Sequence, residues 1–383
     1  MTDAEGALLA DALDLDPSEL TAFSREPLGE GTVAGFVLPG GEAAYVDTSL
    51  LPVARETGLA LEGVARVWRH PSDPHLPALA PAAFGEATAV LLARLGVAAS
   101  AMPEIVGYRP GRRAVLRVPT SDGTAWVKVV RPRRIARVVE CHTALRAHGL
   151  PVPEVRGWSP EGLLVLASAD GAPATDAAWR AATMLDEVDD LRGRLADAPL
   201  AWPARTSLAE RLPWYLDRLR AVVPERSAAL VQVAARVSTL LEGPSAPAAT
   251  VHGDLHLGQL FVDGDAVSGL IDVDTAGRGE QAEDAAAFVG HAVASALLTA
   301  ERGGDAARVW ALAAAAHERW GDDPRVRALT AVHLLGHALG AGPAGAAPAP
   351  AAPGSGRAGI LLDLAENVAT AHKRPLMADF EGS

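Results

Sequence analysis

Val251-His-Gly-Asp-Leu-His-Leu-Gly-Gln259, followed shortly by Leu270-Ile-Asp-Val-Asp274, is the stretch on which the reading of this chain turns. It sets a His and an Asp two residues apart, an amide side chain five residues after that Asp, and a second Asp eighteen after it. The apolar run Val267-Ser-Gly-Leu-Ile271 reads as a strand, so Asp272 emerges from a strand end. Phosphoryl transfer from a metal nucleotide needs such a set: a carboxylate to take the acceptor proton, and an amide and another carboxylate to hold magnesium. On that reading Asp254 is the base, and Gln259 and Asp272 are the metal ligands.

The rest of the chain bounds the idea. Its 383 residues fit two or three packed units. The chain is 49% hydrophobic but only 4% aromatic, so the expected core is Ala, Leu and Val. A net charge of −13 argues against nucleic acid or an anionic membrane as the main partner. Cys141 is the single cysteine, which excludes an intramolecular disulfide and points to a reducing compartment. The acidic start Met1-Thr-Asp-Ala-Glu5 does not read as a signal peptide, and no apolar run approaches the roughly 18 residues that span a bilayer. A cytoplasmic protein is the expectation.

Residues 1–100 read as a mixed α/β segment. Thr32–Leu38 and Glu42–Val46 flank Pro39-Gly-Gly41, a hairpin signal. Ala60 to Trp68 predicts a third strand, and a helix is expected from about Pro81 to Leu95. Three short strands are predicted over 104–108, 114–118 and 124–130, then a helix from Arg133 to His148 capped by Gly149, then a buried strand Gly162–Leu166. Beyond 172 the pattern is helical, with candidates over 176–196, 206–222, 227–241, 283–300, 305–319, 325–340 and 358–372. The Ala/Pro/Gly run of about 341–357 is expected to be a mobile loop.

Other residues carry two readings each. Lys128, alone in the apolar Ala125-Trp-Val-Lys-Val-Val130, is either a solvent-facing strand lysine or a phosphate ligand that Glu140 on the next helix orients. Arginines of the turn Arg109-Pro-Gly-Arg-Arg113 are either turn residues or bidentate phosphate donors, with Arg113 the candidate. His252 either braces the loop or acts as base. His252-x-Asp254-x-His256 also has the look of a zinc site, and His333 and His337 stand four apart on a helix without the Glu of a His-Glu-x-x-His motif. Asp274 is a second metal or substrate contact, or a turn residue. Glu280, Glu283 and Asp284 are either charges at a helix start or acceptor-binding groups.

Taken together, His252–Gln259, Leu270-Ile-Asp-Val-Asp-Thr-Ala-Gly277 and Asp284-Ala-Ala286, with Lys128 and Glu140 upstream, resemble the aminoglycoside phosphotransferase superfamily over about residues 103–340. That superfamily shares the protein-kinase-like fold. The Gly-Asp-x-His-Leu-Gly-Gln form, with Gln where Asn is usual, looks most like bacterial maltokinases and glucosamine kinases. The resemblance implies an α+β, bilobal fold: a cap over 1–100, a β-rich nucleotide lobe over 101–170 and a helical lobe over 171–383. It implies ATP and Mg²⁺, with Lys128, Glu140, Arg113, Leu166 and Ser168 on the nucleotide, and Asp274, His256, Glu280 and Asp284 on the acceptor. The acceptor it implies is a sugar or amino-sugar hydroxyl, handled by a monomer or homodimer. Val273-Asp274 departs from the bulky Trp-Glu or Trp-Asp that antibiotic kinases carry after the metal Asp. The rival readings are an antibiotic kinase that takes a polycation, a nucleotide-binding module without catalysis, and a metallohydrolase.

Overall fold

The computed structural model describes residues 4–53, 55–341 and 356–370. They fall into two compact units, 1–143 with 153–168 and 144–152 with 169–383.

The first unit opens with helix α1 (Ala4–Leu13) and an antiparallel sheet of β1 (Thr21–Leu28), β2 (Gly31–Val37), β3 (Ala43–Asp47), β4 (Leu59–Leu61) and β5 (Ala65–Arg69), in the order β1-β2-β3-β5-β4. The hairpin expected around residues 39–41 joins β2 to β3. The single strand expected over 60–68 is instead two, because the chain reverses at Gly63, whose φ of +70° suits glycine. Neither α1 nor β1 is evident in the sequence. The reason for β1 is that it is an edge strand, mostly exposed, and carries Pro27.

A second antiparallel sheet follows: β6 (Glu104–Arg109), β7 (Arg113–Thr120), β8 (Gly123–Val130), β9 (Val155–Ser159) and β10 (Leu163–Ala167), ordered β6-β7-β8-β10-β9. Side chains alternate between its faces. Leu116, Val127, Val129 and Val165 pack on Leu79, Ala82 and Leu92. The last three belong to the short helix α2 (Leu79–Ala83) and to α3 (Gly85–Arg94), which extended backbone at Phe84 separates where one helix was expected. Val130, Leu164 and Leu166 pack on the other face against Ile135 and Val138 of α4 (Pro132–Ala147). Full burial of each such side chain contributes roughly 1.5–3 kcal/mol. The first hundred residues are also tied to this sheet by polar bonds. Asp73 accepts from Tyr108 Oη at 2.9 Å and from Gly111 N at 2.7 Å, so it pins the β6–β7 turn.

The second unit holds β11 (Ala172–Pro173), β12 (Ala249–Val251), β13 (Leu260–Asp263), β14 (Ala266–Leu270) and β15 (Gly277–Gly279) among helices α5 (Ala181–Asp197), α6 (Leu208–Val222), α7 (Ser227–Leu241), α8 (Gln281–Glu301), α9 (Ala307–Trp320), α10 (Pro324–Gly340) and α11 (Arg357–Thr370). The helices lie close to their predicted spans. Helix α8 is buried over most of its length, since Ala and Gly supply its surface and let neighbouring helices approach. Helix α10 packs on α6, α7, α8 and α11. Helix α11 docks through Leu361, Leu362, Leu364 and Val368, which are buried. The low-complexity run lies outside the described residues from 342 to 355. No described helix is long and apolar enough to cross a membrane.

Candidate active site

Two short ladders deliver the motif. Strand β12 pairs antiparallel with β15, Val251 opposite Gly277, and releases His252–Asp254 at its end. The β13–β14 hairpin, with Leu260 opposite Leu270, carries Gln259 into one strand and Asp272 out of the other. Gly253 has φ +81°, and a Cβ there would sit 3.0 Å from the Thr275 carbonyl oxygen, so the loop needs glycine at this point.

The loop is held rigid by Asp284 in the first turn of α8. Its Oδ2 accepts from His252 N at 2.7 Å and its Oδ1 from Gly253 N at 2.8 Å. Asp284 is 2% exposed, so it clamps backbone and does not present a carboxylate to an acceptor, which corrects the expectation from sequence. Burial pushes its carboxyl up, and the nearby His252 and the two amide donors pull against that. His252, fully buried, lies with Nε2 3.1 Å from the Ile271 carbonyl oxygen, and Thr275 Oγ1 donates to the His252 carbonyl at 2.9 Å. Of its two readings, the brace is the one this geometry fits. Asp284→Ala leaves two buried amides without acceptors, at about 1–3 kcal/mol each. Calorimetry should therefore show a melting temperature lower by about 5 °C or more. A wild-type melting temperature would sink the clamp.

Asp254 follows the clamp. Its Oδ1 is 2.8 Å from Arg205 Nη1 and 3.5 Å from His291 Nε2. Burial alone would raise its pKa, but the His291 hydrogen bond and the Arg205 charge outweigh it and hold the carboxyl well below the usual range. Asp254 is therefore ionised at any physiological pH. Arg205 is placed by backbone bonds of its own loop, its N–H donating to the Thr275 carbonyl at 3.1 Å and that of Ala204 to Arg278 at 2.9 Å. Sequence reasoning missed Arg205, which has no motif. It also missed His291, although seven residues, two helical turns, separate it from Asp284 on α8.

Gln259 is 4% exposed, and its Oε1 is buried with no hydrogen-bond partner among the described residues. A buried amide oxygen seldom goes unsatisfied, and a cation is one way to satisfy it. Asp272 adopts φ 59°, ψ 37°, the left-handed region that few non-glycine residues enter. Backbone outliers of this sort gather at functional sites. Asp274 follows in the short 3-10 turn Val273–Thr275 and is buried at 9% exposure.

His256 accepts from Gly258 N through Nδ1 at 3.1 Å, and its ring centroid lies 4.3 Å from that of His291. Burial, aided by the His291 charge, pulls its pKa down to about 4. Glu280 is ion-paired with Arg325, Oε2 to Nη2 at 2.7 Å, so it is not a free acidic group for an acceptor. A cavity of about 570 Å³ in this unit carries Arg205, Arg278 and Arg325 against Glu210, Glu280 and Glu283. Burial pushes the Glu283 carboxyl up.

The proposed nucleotide residues lie in the first unit. Lys128 is 7% exposed, on the β8 face it shares with Trp126 and Val130, which α4 covers. A buried lysine on a central strand is not a solvating edge charge. Glu140 is exposed, and at 100° per residue it stands opposite the buried stripe of Ile135, Val138, His142 and Leu145, so α4 does not aim it at the sheet. Arg113 opens β7 and Leu166 lies on β10 at 8% exposure. Ser168 accepts from Trp126 Nε1 at 3.2 Å and donates to the Thr124 carbonyl at 3.0 Å, so its hydroxyl is already used in holding the sheet end.

An antiparallel sheet with a buried lysine, a following helix and a helical unit with a clamped His-Gly-Asp loop define a kinase-like α+β protein. The profile of the phosphotransferase enzyme family matches residues 104–329, more than half of the chain, and the chain belongs to that family. Among solved structures, a thermostable mutant of an aminoglycoside phosphotransferase in complex with ADP and hygromycin B is similar at 15% identity and TM-score 0.50, covering 74% of this chain and 98% of that one. An aminoglycoside phosphotransferase from Streptomyces rimosus matches at 25% identity and TM-score 0.44, over 65% of this chain and 96% of its own. A macrolide 2′-phosphotransferase from Brachybacterium faecium matches at 17% identity and TM-score 0.44, over 76% and 99%. Comparison with curated proteins gives no match.

Proposed function

We propose that this protein is an ATP- and Mg²⁺-dependent kinase of a sugar or amino-sugar hydroxyl. Membership of the phosphotransferase family supports phosphoryl transfer. The observation that carries the reading is Asp254, ionised and fixed at the end of a clamped loop, with its Arg205 and His291 contacts, among the described residues, both on Oδ1. Oδ2 is then the oxygen for an acceptor hydroxyl. As the acceptor oxygen bonds to the γ-phosphorus and the β–γ bridging bond breaks, ADP leaves and the hydroxyl proton passes to Asp254. A carboxylate of depressed pKa is a weak base, so it orients the hydroxyl first and takes the proton late, once bonding to phosphorus has acidified it.

Gln259 Oε1 and Asp272 fit a divalent cation, since one offers a buried oxygen with no partner among the described residues and the other a carboxylate at a strand end. Bound there, magnesium supplies charge neutralisation on the phosphates. In this reading Lys128 takes the phosphates of ATP, with Arg113 and Leu166 nearby, while His256 and Asp274 contact the acceptor.

The cavity beside Arg205 bears on the choice of acceptor. Its three acidic and three basic side chains balance, and Glu280 is spent on Arg325. A polycationic antibiotic calls for a surplus of acid, whereas a neutral or singly aminated sugar does not. An ATP-consumption screen over sugars, amino sugars and aminoglycosides tests the assignment. Turnover on a monosaccharide or disaccharide is expected; activity confined to aminoglycosides overturns the acceptor, and no product from any hydroxyl compound overturns catalysis.

A further inference from the structure

Three imidazoles cluster near Asp254, and only one of them, His291, enters the reading of phosphoryl transfer, as a partner of Asp254. His291 comes from α8, and His333 and His337 from one face of α10, four residues apart. Their candidate ligand nitrogens all lie within 4.8 Å of one another. The ring centroids are 4.6 Å apart for His291 and His337, and 5.4 Å for His291 and His333. The two helices come this close because residue 290 is glycine: a Cβ there would sit 2.7 Å from the His333 Cβ. His337 Nε2 is buried and has no hydrogen-bond partner among the described residues. A buried ring nitrogen left alone is costly, unless something outside the chain meets it.

We propose that His291, His333 and His337 form a binding site for one divalent transition-metal ion of the zinc class. Neutral imidazole suits zinc, copper and nickel, whereas magnesium takes oxygen ligands, so the Gln259–Asp272 pair and the histidine triad select different ions. Three nitrogens at zinc-bonding distance stand about 3.4 Å apart, so small ring rotations close the triad on an ion. Three protein ligands leave a fourth position for water. His291 belongs to two networks, since its Nε2 also lies 3.5 Å from Asp254 Oδ1. Occupancy of the triad therefore bears on how His291 holds Asp254, whatever the acceptor is.

The competing account is a stack of histidines held by ring contacts alone. Chelator-treated full-length protein is titrated with Zn²⁺ against a chromophoric chelator, in the presence and absence of excess Mg²⁺. One Zn²⁺ per chain, bound at about 10 μM or tighter and not displaced by Mg²⁺, is expected. His337→Gln is expected to weaken it by roughly 10–100-fold with its circular dichroism unchanged. Co²⁺ added to the wild-type chain should give the visible absorption of a tetrahedral nitrogen site, a readout that needs no variant. Absence of Zn²⁺ binding, absence of the Co²⁺ spectrum, or equal affinity in a folded His337→Gln protein each overturns the site.

Discussion

Asp254→Asn is expected to lower kcat by roughly 10³-fold while ATP affinity stays within about threefold. The amide keeps the volume of the carboxylate but cannot accept a proton at neutral pH. It also breaks the charge pairing with Arg205 at 2.8 Å. That pair is partly exposed, with side chains at 20% and 26%, so its loss should cost on the order of 1 kcal/mol or less. Calorimetry should show a small shift in melting temperature beside a very large change in turnover, which separates chemistry from folding. The wild-type pH profile gives a further check. Because the Asp254 carboxyl is held well below its ordinary value, protonation of this group should not produce an acid limb in kcat/KM between about pH 5 and 8. Near-wild-type turnover in the variant, measured by coupled ADP release, would remove Asp254 from the reaction.

Asp272→Asn should be nearly as damaging, by a different route. Asn is among the few residues at ease in the left-handed region, so the backbone at φ 59° is kept while the charge is lost. The expected result is a roughly 10²–10³-fold fall in kcat together with a loss of the Mg²⁺ dependence of ATP binding, read by titration at varied Mg²⁺. Asp272→Ala removes the same charge and adds about 1 kcal/mol of backbone strain, so it should melt lower than the Asn variant. If Asp272→Asn binds ATP with the wild-type response to Mg²⁺, the carboxylate is not a metal ligand.

Strongly periodic segments were legible in the sequence. The strands β6, β7 and β8 and the helices α4 to α11 lie close to where spacing and caps predict them. What failed had weak or ambiguous local signals. Residues 60–68 read as one strand because their apolar content runs on past Gly63, and 81–95 as one helix because nothing in side-chain spacing marks the break at Phe84. Strand β9 has exposed alternate residues, including Trp158, and lacks the apolar run of its neighbour β10. At the candidate site, spacing picked out Asp254, Gln259 and Asp272, and all three belong to one unit. Arg205, 49 residues before Asp254 and in no motif, could not be found that way.

The sequence by itself determined the kinase-like order of elements and the spacing of the His252–Gln259 and Asp272 motifs, since periodicity and turn chemistry act over a few residues. Tertiary structure decided what each charge is for. Asp284 and Glu280 are four residues apart and look alike in sequence, yet one clamps the backbone of His252 and Gly253 and the other pairs with Arg325. Likewise His333 and His337 are unremarkable on their own helix and become a triad only when Gly290 lets α8 bring His291 against them. Such roles rest on burial and on partners tens of residues away, which no local pattern encodes.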